Sequence, residues 1–254
     1  MSPATDLAVF AELSAKIRKL EHAAQTIGPR RPVGFSLGIE PIDQTLASSG
    51  FPFAGLHEVL GQTGEADFAA ANAFTAVIAA RLSGGVLWCV GRSQLYAPAI
   101  SAIGLGVNKI NFFYAMNDDM ALSAMEEGLR HPSLGVVVGE VNRLSLNQSR
   151  RLILASEKSG VPVFVLRPPI AKKRTEHVAC GTRWRVTTAP SLPLRTAWVG
   201  HPRWFLELLR CRGSRSGQWF VEATDASGHL RLSQAVASGT EVAPFNSQQR
   251  RAAG

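Results

Sequence analysis

The chain has 254 residues, 46% of them hydrophobic and 18% charged, which suits one globular domain with a sizeable core and appendages, or two small domains. No apolar run approaches the roughly 20 residues that a membrane-spanning helix needs, and the N-terminus lacks the basic-then-apolar order of a secretory signal, so the expectation is a cytoplasmic protein with no membrane partner. Cys89, Cys180 and Cys211 are far apart and form no C-x-x-C pair; they read as reduced core or surface thiols rather than metal or redox groups.

The formal net charge of +8 is unevenly placed, because the stretch from Arg143 to Arg215 carries 15 Lys/Arg against 3 acidic residues. A basic half of this kind attracts phosphate backbones or an acidic partner.

In chain order, residues 5–23 place Phe10, Leu13, Ile17 and Leu20 on one stripe of a predicted amphipathic helix,. "GPRRPVGF" then predicts a linker or extended arm. From Phe35 the pattern is that of an α/β domain: a short helix around Ile42–Leu46 stopped by Gly50, a strand "GLHEVL", and a helix over Phe68–Leu82. "GVLWCVG", "LGVVVGEV" and "PVFVLRPP" are near-continuous apolar runs, as in strands buried on both faces of a parallel sheet. "INFFYA" predicts a further strand, and "DMALSAMEEGLRH" and "SLNQSRRLILASEKSG" predict the intervening helices. This alternation implies a mainly parallel sheet flanked by helices. After Pro169 the pattern changes: "TRWRVTTAP", "RWFLELLRCRG" and "GQWFVEAT" alternate and carry aromatics, as antiparallel strands at the sheet edge would. The predicted organisation is an N-terminal helix and arm over 1–33, an α/β domain over 34–232, and a tail over 233–254 with too little apolar periodicity to fold.

Between the strand "LHEVL" and its following helix lies "GQTGEAD", where a phosphate-binding loop would read G-x-x-x-x-G-K-[ST]. Gly61 opens that frame, but Ala66, Asp67 and Phe68 occupy its last three positions. A carboxylate at the lysine position would repel phosphate oxygens, and phenylalanine cannot hold magnesium. The turn has its own structural logic: Gly61 and Gly64 supply backbone freedom, while Glu65 or Asp67 complements a helix N-terminus.

Over roughly residues 35–225 the order of elements, with "SLGIEPIDQTLASSGFPFAGLHEVLG" and "GLGVNKINFFYA", resembles the RecA family core. "GVPVFVLRPP", "TRWRV", "RWFLELLRCRG" and "GQWFVE" resemble more closely the ImuA family of RecA-like inducible mutagenesis proteins. That resemblance implies a RecA-like α/β fold, with Glu140 at the place of the Walker B aspartate and Gln94 near that of the water-activating glutamate. It implies no cofactor, no ATP hydrolysis, and an adaptor role in DNA-damage-induced mutagenesis and translesion synthesis. The implied partners are an ImuB-type Y-family polymerase homologue and an error-prone DNA polymerase. RecA or a second copy could join through the N-terminal helix, which is similar to the element linking RecA protomers. The alternatives are a DNA-dependent ATPase of the RecA type and a cell division inhibitor similar to SulA.

For direct DNA contact the candidates are Arg167, Lys172, Lys173 and Arg174, placed where RecA carries a DNA-binding loop, and Arg183, Trp184 and Arg185. Cations neutralise phosphates and an aromatic can stack on a base. The competing expectation for R-W-R on a strand is a core tryptophan between two solvent-facing arginines.

Overall fold

The computed structural model describes residues 34–46, 50–91, 95–131, 133–169, 178–191, 200–223 and 229–233. The N-terminal helix with Phe10, Leu13, Ile17 and Leu20, the residue Gln94, the Lys172, Lys173 and Arg174 cluster, and the tail from 234 onward lie outside these residues.

Two short strands, β1 (Gly34–Phe35) and β2 (Phe51–Pro52), pair antiparallel on either side of helix α1 (Glu40–Thr45). Asp43 organises the turn before α1. Its carboxylate accepts the Ser36 hydroxyl at 2.6 Å and the backbone N–H groups of Leu37 and Gly38 at 2.8 and 3.2 Å. Pro41 sits in the first turn, where its missing N–H has no helical partner to lose,.

There follow β3 (Leu56–Gly61), α2 (Gly64–Ala80), β4 (Gly85–Val90), α3 (Ala97–Ala102), β5 (Ile110–Tyr114), α4 (Asp118–Gly128), β6 (Leu134–Glu140), α5 (Leu146–Ser159) and β7 (Val163–Arg167). The last described elements are β8 (Thr182–Ala189), β9 (Arg203–Cys211), β10 (Gly217–Ala223) and β11 (Leu230–Leu232). Among the described residues nine strands form one sheet in the order β11-β10-β9-β8-β3-β7-β6-β4-β5. Pairing is parallel from β8 to β5 and antiparallel from β8 to β11. This is the predicted parallel sheet with an antiparallel C-terminal extension, a RecA-like core.

Helices α2 and α3 cover one face, where Phe74, Val77, Trp88, Phe164 and Trp184 make a core that continues to Trp204 and Val221. Helices α4 and α5 cover the other face, but only over the parallel strands, where Met125 and Leu152 pack on Val137, Val163 and Val165. The start and stop of α5 follow its sequence. Ser145 and Gln148 form a reciprocal capping box, and Gly160 ends the helix at φ 72°,.

Helix α2 begins at Gly64, not at Phe68 as its apolar pattern predicts. The polar residues Gly64–Asp67 form its first turn, where hydrogen bonding rather than burial decides the backbone. Strand β11, at three residues, is too short for periodicity to reveal it.

Candidate functional site

The turn from β3 to α2 holds the segment that the sequence frame sets against a phosphate loop. Strand β3 lies between β7 and β8, parallel to both, and delivers Gly61 directly against the first turn of α2. A Cβ on Gly61 would come within 2.8 Å of the Phe68 nitrogen and 2.9 Å of its Cα. Helix backbone packs where a side chain would stand, so this position requires glycine. Gly64 has φ +71°, a conformation that side chains disfavour.

Asp67 completes the turn. One carboxylate oxygen accepts the Thr63 N–H at 2.8 Å and the Thr63 hydroxyl at 2.9 Å. The other accepts the Thr188 N–H and hydroxyl, both at 2.8 Å. The residue is only 3% exposed. In a phosphate loop, turn and helix N–H groups converge on a bound anion; here Asp67 supplies the negative charge and ties the turn to β8. The Thr187 hydroxyl reinforces this tie by donating to Gln62 at 2.8 Å. Phe68, at the Ser/Thr position of the phosphate-loop frame, is buried in the core.

Glu140, at the end of β6, accepts the Gly91 N–H at 3.1 Å, so its carboxylate anchors the end of β4. A polar strand end bonded to nearby backbone is therefore what the structure contains.

Trp184 is fully buried, and its ring lies 5.8 Å from Phe51, 5.5 Å from Phe74 and 6.1 Å from Trp219. Its indole N–H donates to the Thr182 hydroxyl at 3.0 Å. It cannot stack on a base, which corrects the expectation of a DNA contact in favour of the core alternative. Arg167 is likewise internal, at 1% exposure. Its Nε lies 3.4 Å from one oxygen of Glu58, while the Nε of Arg183 lies 2.5 Å from the other. Neither arginine simply faces solvent, because a charge in a central strand must be neutralised locally. Arg185 remains toward the surface and pairs with Glu207 at 3.1 Å.

Glu58, the centre of this cluster, belongs to no motif that sequence reasoning singled out. The available signal was a lone acid within the otherwise apolar strand "LHEVL". Beside it, His57 is buried between Phe51 and Phe164, with its Nδ1 2.9 Å from the Thr182 hydroxyl. Burial pushes its pKa down to about 3.

Among the described residues no group of three or more His, Cys, Asp or Glu is placed to hold a metal ion, and no helix is long and apolar enough to cross a membrane. All three cysteines are buried and form no disulfide with one another. Burial pushes the Cys89 thiol up to about 12 and raises that of Cys180, which opposes thiolate chemistry.

At the far edge of the sheet an open apolar groove of about 550 Å³ lies between β5 and α4, lined in part by Leu87, Phe113, Met120 and Leu134. Tyr114 and Met116, which follow Phe113 in the chain, are largely exposed.

No protein-family model matches the chain. Two proteins named "Protein ImuA", from two strains of Caulobacter vibrioides, are each 33% identical to it over 216 residues, covering 80% of this chain and 88% of the relative. Identity at this level spans most of both sequences and accompanies the parallel sheet with its antiparallel extension: the chain belongs to the ImuA family.

Proposed function

We propose that this protein is a non-catalytic, RecA-like adaptor in DNA-damage-induced mutagenesis. It would act in the cytoplasm and dock an ImuB-type Y-family polymerase homologue and an error-prone DNA polymerase for translesion synthesis. The observation that carries this reading is the use of Asp67 as an internal anion in the phosphate-loop turn. A nucleotide phosphate placed there would meet a fixed carboxylate instead of a lysine, with no hydroxyl at Phe68 to hold magnesium. Function then rests on binding surfaces. The apolar groove beside β5 and the apolar stripe of residues 5–23 are two such surfaces, the second a candidate for self-association or contact with RecA.

The test measures phosphate release from ATP with and without single-stranded DNA, and capture of the purified full chain by ImuB-type and RecA-type proteins. Hydrolysis should stay at background. Capture should occur with the full chain and fail when Leu13 and Ile17 are both changed to Asp, while the core remains folded. DNA-stimulated turnover that disappears in Glu140→Gln would overturn the non-catalytic reading, and absence of capture by any of these proteins would overturn the adaptor.

A further inference from the structure

The two faces of the antiparallel extension differ. Trp184, Trp204, Leu206 and Val221 on one face join the core beneath α2, whereas the core under α4 and α5 contains no residue of β8, β9 or β10. Among the described residues, no helix core covers that second face. A sheet face that only meets water is made mainly of polar side chains, but the centre of this one is an aromatic pair. Phe205 and Phe220 are directly cross-strand, half-buried, with ring centroids 4.8 Å apart. The Arg203 guanidinium lies 4.5 Å from the centroid of Phe220.

Charged residues flank this pair: Arg203 stands opposite Glu222 across β9 and β10, and Glu222 in turn faces Arg231 of β11. Arg185 lies one pair along β8 and β9, balanced by Glu207. At one end Arg210 stands opposite Arg183 and is exposed. Glu58 neutralises Arg183, but Arg210 has no acidic partner among the described residues. Like charges directly opposite across strands repel, and an anion beside them would relieve that repulsion.

We infer that the uncovered face of β8–β10 binds single-stranded nucleic acid, with Phe205 and Phe220 as a stacking platform and Arg203 and Arg210 on the phosphate backbone. Single strands fit because their unpaired bases expose the π-faces that stack on aromatic side chains, while cations follow the backbone without reading sequence. Bases inside a duplex are already stacked on one another. This site differs from the sequence-predicted one: it excludes Trp184 and Arg167 and does not require Lys172. It also goes beyond the adaptor reading, since a protein can dock polymerases without touching nucleic acid.

The experiment uses fluorescence anisotropy of a labelled 30-nucleotide oligo-dT with the purified full chain at low salt, where 30 is about the length needed to cover several binding footprints. Phe205→Leu combined with Phe220→Leu keeps the face apolar and should weaken binding roughly tenfold or more. Arg203→Gln combined with Arg210→Gln should weaken binding and make the log-log salt slope shallower by about 1.4, near 0.7 for each phosphate that is no longer neutralised. Arg130→Gln combined with Arg151→Gln, just after α4 and on α5, should leave binding unchanged, and a duplex of equal length should bind more weakly. Urea midpoints near wild type would show that the variants are folded. The inference is overturned if no binding appears at low salt, if the face variants bind like wild type, or if duplex and single strand bind equally. It is also overturned if binding depends only on Lys172, Lys173 and Arg174.

Discussion

Asp67→Ala isolates the central feature of the turn between β3 and α2. It removes the acceptor for two backbone N–H groups and two hydroxyls, all within 2.8–2.9 Å. The hydroxyls can turn toward new partners, but the two amides are fixed by the backbone. Thr63 and Thr188 are themselves exposed, so water can replace the carboxylate in part, and each lost bond to a charged acceptor costs about 1 kcal/mol. Because the four bonds share one carboxylate their losses are not additive, and a total near 2 kcal/mol is expected. That is a sizeable fraction of the usual 5–15 kcal/mol of domain stability.

With an m-value near 2 kcal/mol/M in urea, the unfolding midpoint should fall by about 1 M, followed through tryptophan fluorescence. Asp67→Asn should fall between wild type and Asp67→Ala, because its amide keeps one acceptor and sets a donor against donors. Asp67→Lys restores the residue type of a phosphate loop yet should be at least as destabilising as Asp67→Ala, and should gain no ATP binding. If Asp67→Ala unfolds within about 0.5 kcal/mol of wild type, the carboxylate is not what holds the turn to β8.

His57 should make the fold acid-sensitive. Its pKa is near 3 in the folded state against 6.5 unfolded, so between those values the unfolded chain binds the extra proton. Stability therefore falls as pH drops through that window, by about 2 kcal/mol at pH 5 at 1.36 kcal/mol per unit. His57→Gln should flatten the urea-midpoint profile between pH 4.5 and 6.5, and an unchanged slope would exclude His57 as its source. Glu58→Gln leaves the buried Arg167 and the partly exposed Arg183 without their shared negative charge and should cost about 3 kcal/mol,. Arg183→Gln should cost less than 1 kcal/mol because water already screens part of that pair. Both are read from urea midpoints, and the reverse order would refute the assignment of Arg167 as the more dependent partner. Trp184→Phe should lower stability by about 1–3 kcal/mol and leave oligo-dT affinity unchanged; a loss of affinity with an intact core would return Trp184 to the nucleic-acid surface.

Much of this molecule is written in local sequence. The runs around Trp88, Val138 and Val165 are apolar at nearly every position, with Glu140 and Arg167 only at their ends, as strands covered on both faces require. Ser145, Gln148 and Gly160 mark the ends of α5 by side-chain hydrogen bonds and a positive φ that need only a few neighbouring residues. The departure of Asp67 and Phe68 from a phosphate loop is visible in the same way, since it requires no knowledge of what lies across the sheet.

What only the tertiary structure decided are pairings between segments distant along the chain. Nothing near Asp67 indicates Thr188, 121 residues away, and nothing near Glu58 indicates Arg183, 125 residues away. Those contacts arise because β8 returns beside β3 after the whole parallel sheet has been laid down. The same geometry decides which face of β8 meets α2. A strand alternates its side chains strictly, so "TRWRV" specifies that Trp184 opposes its two arginines but not which side is buried. The tertiary fold buried the tryptophan, drew Arg183 onto Glu58, and left the phenylalanines of β9 and β10 on the side no described helix covers. Local chemistry sets the elements; the register between them, set by long-range hydrogen bonding and burial, assigns each charge its partner.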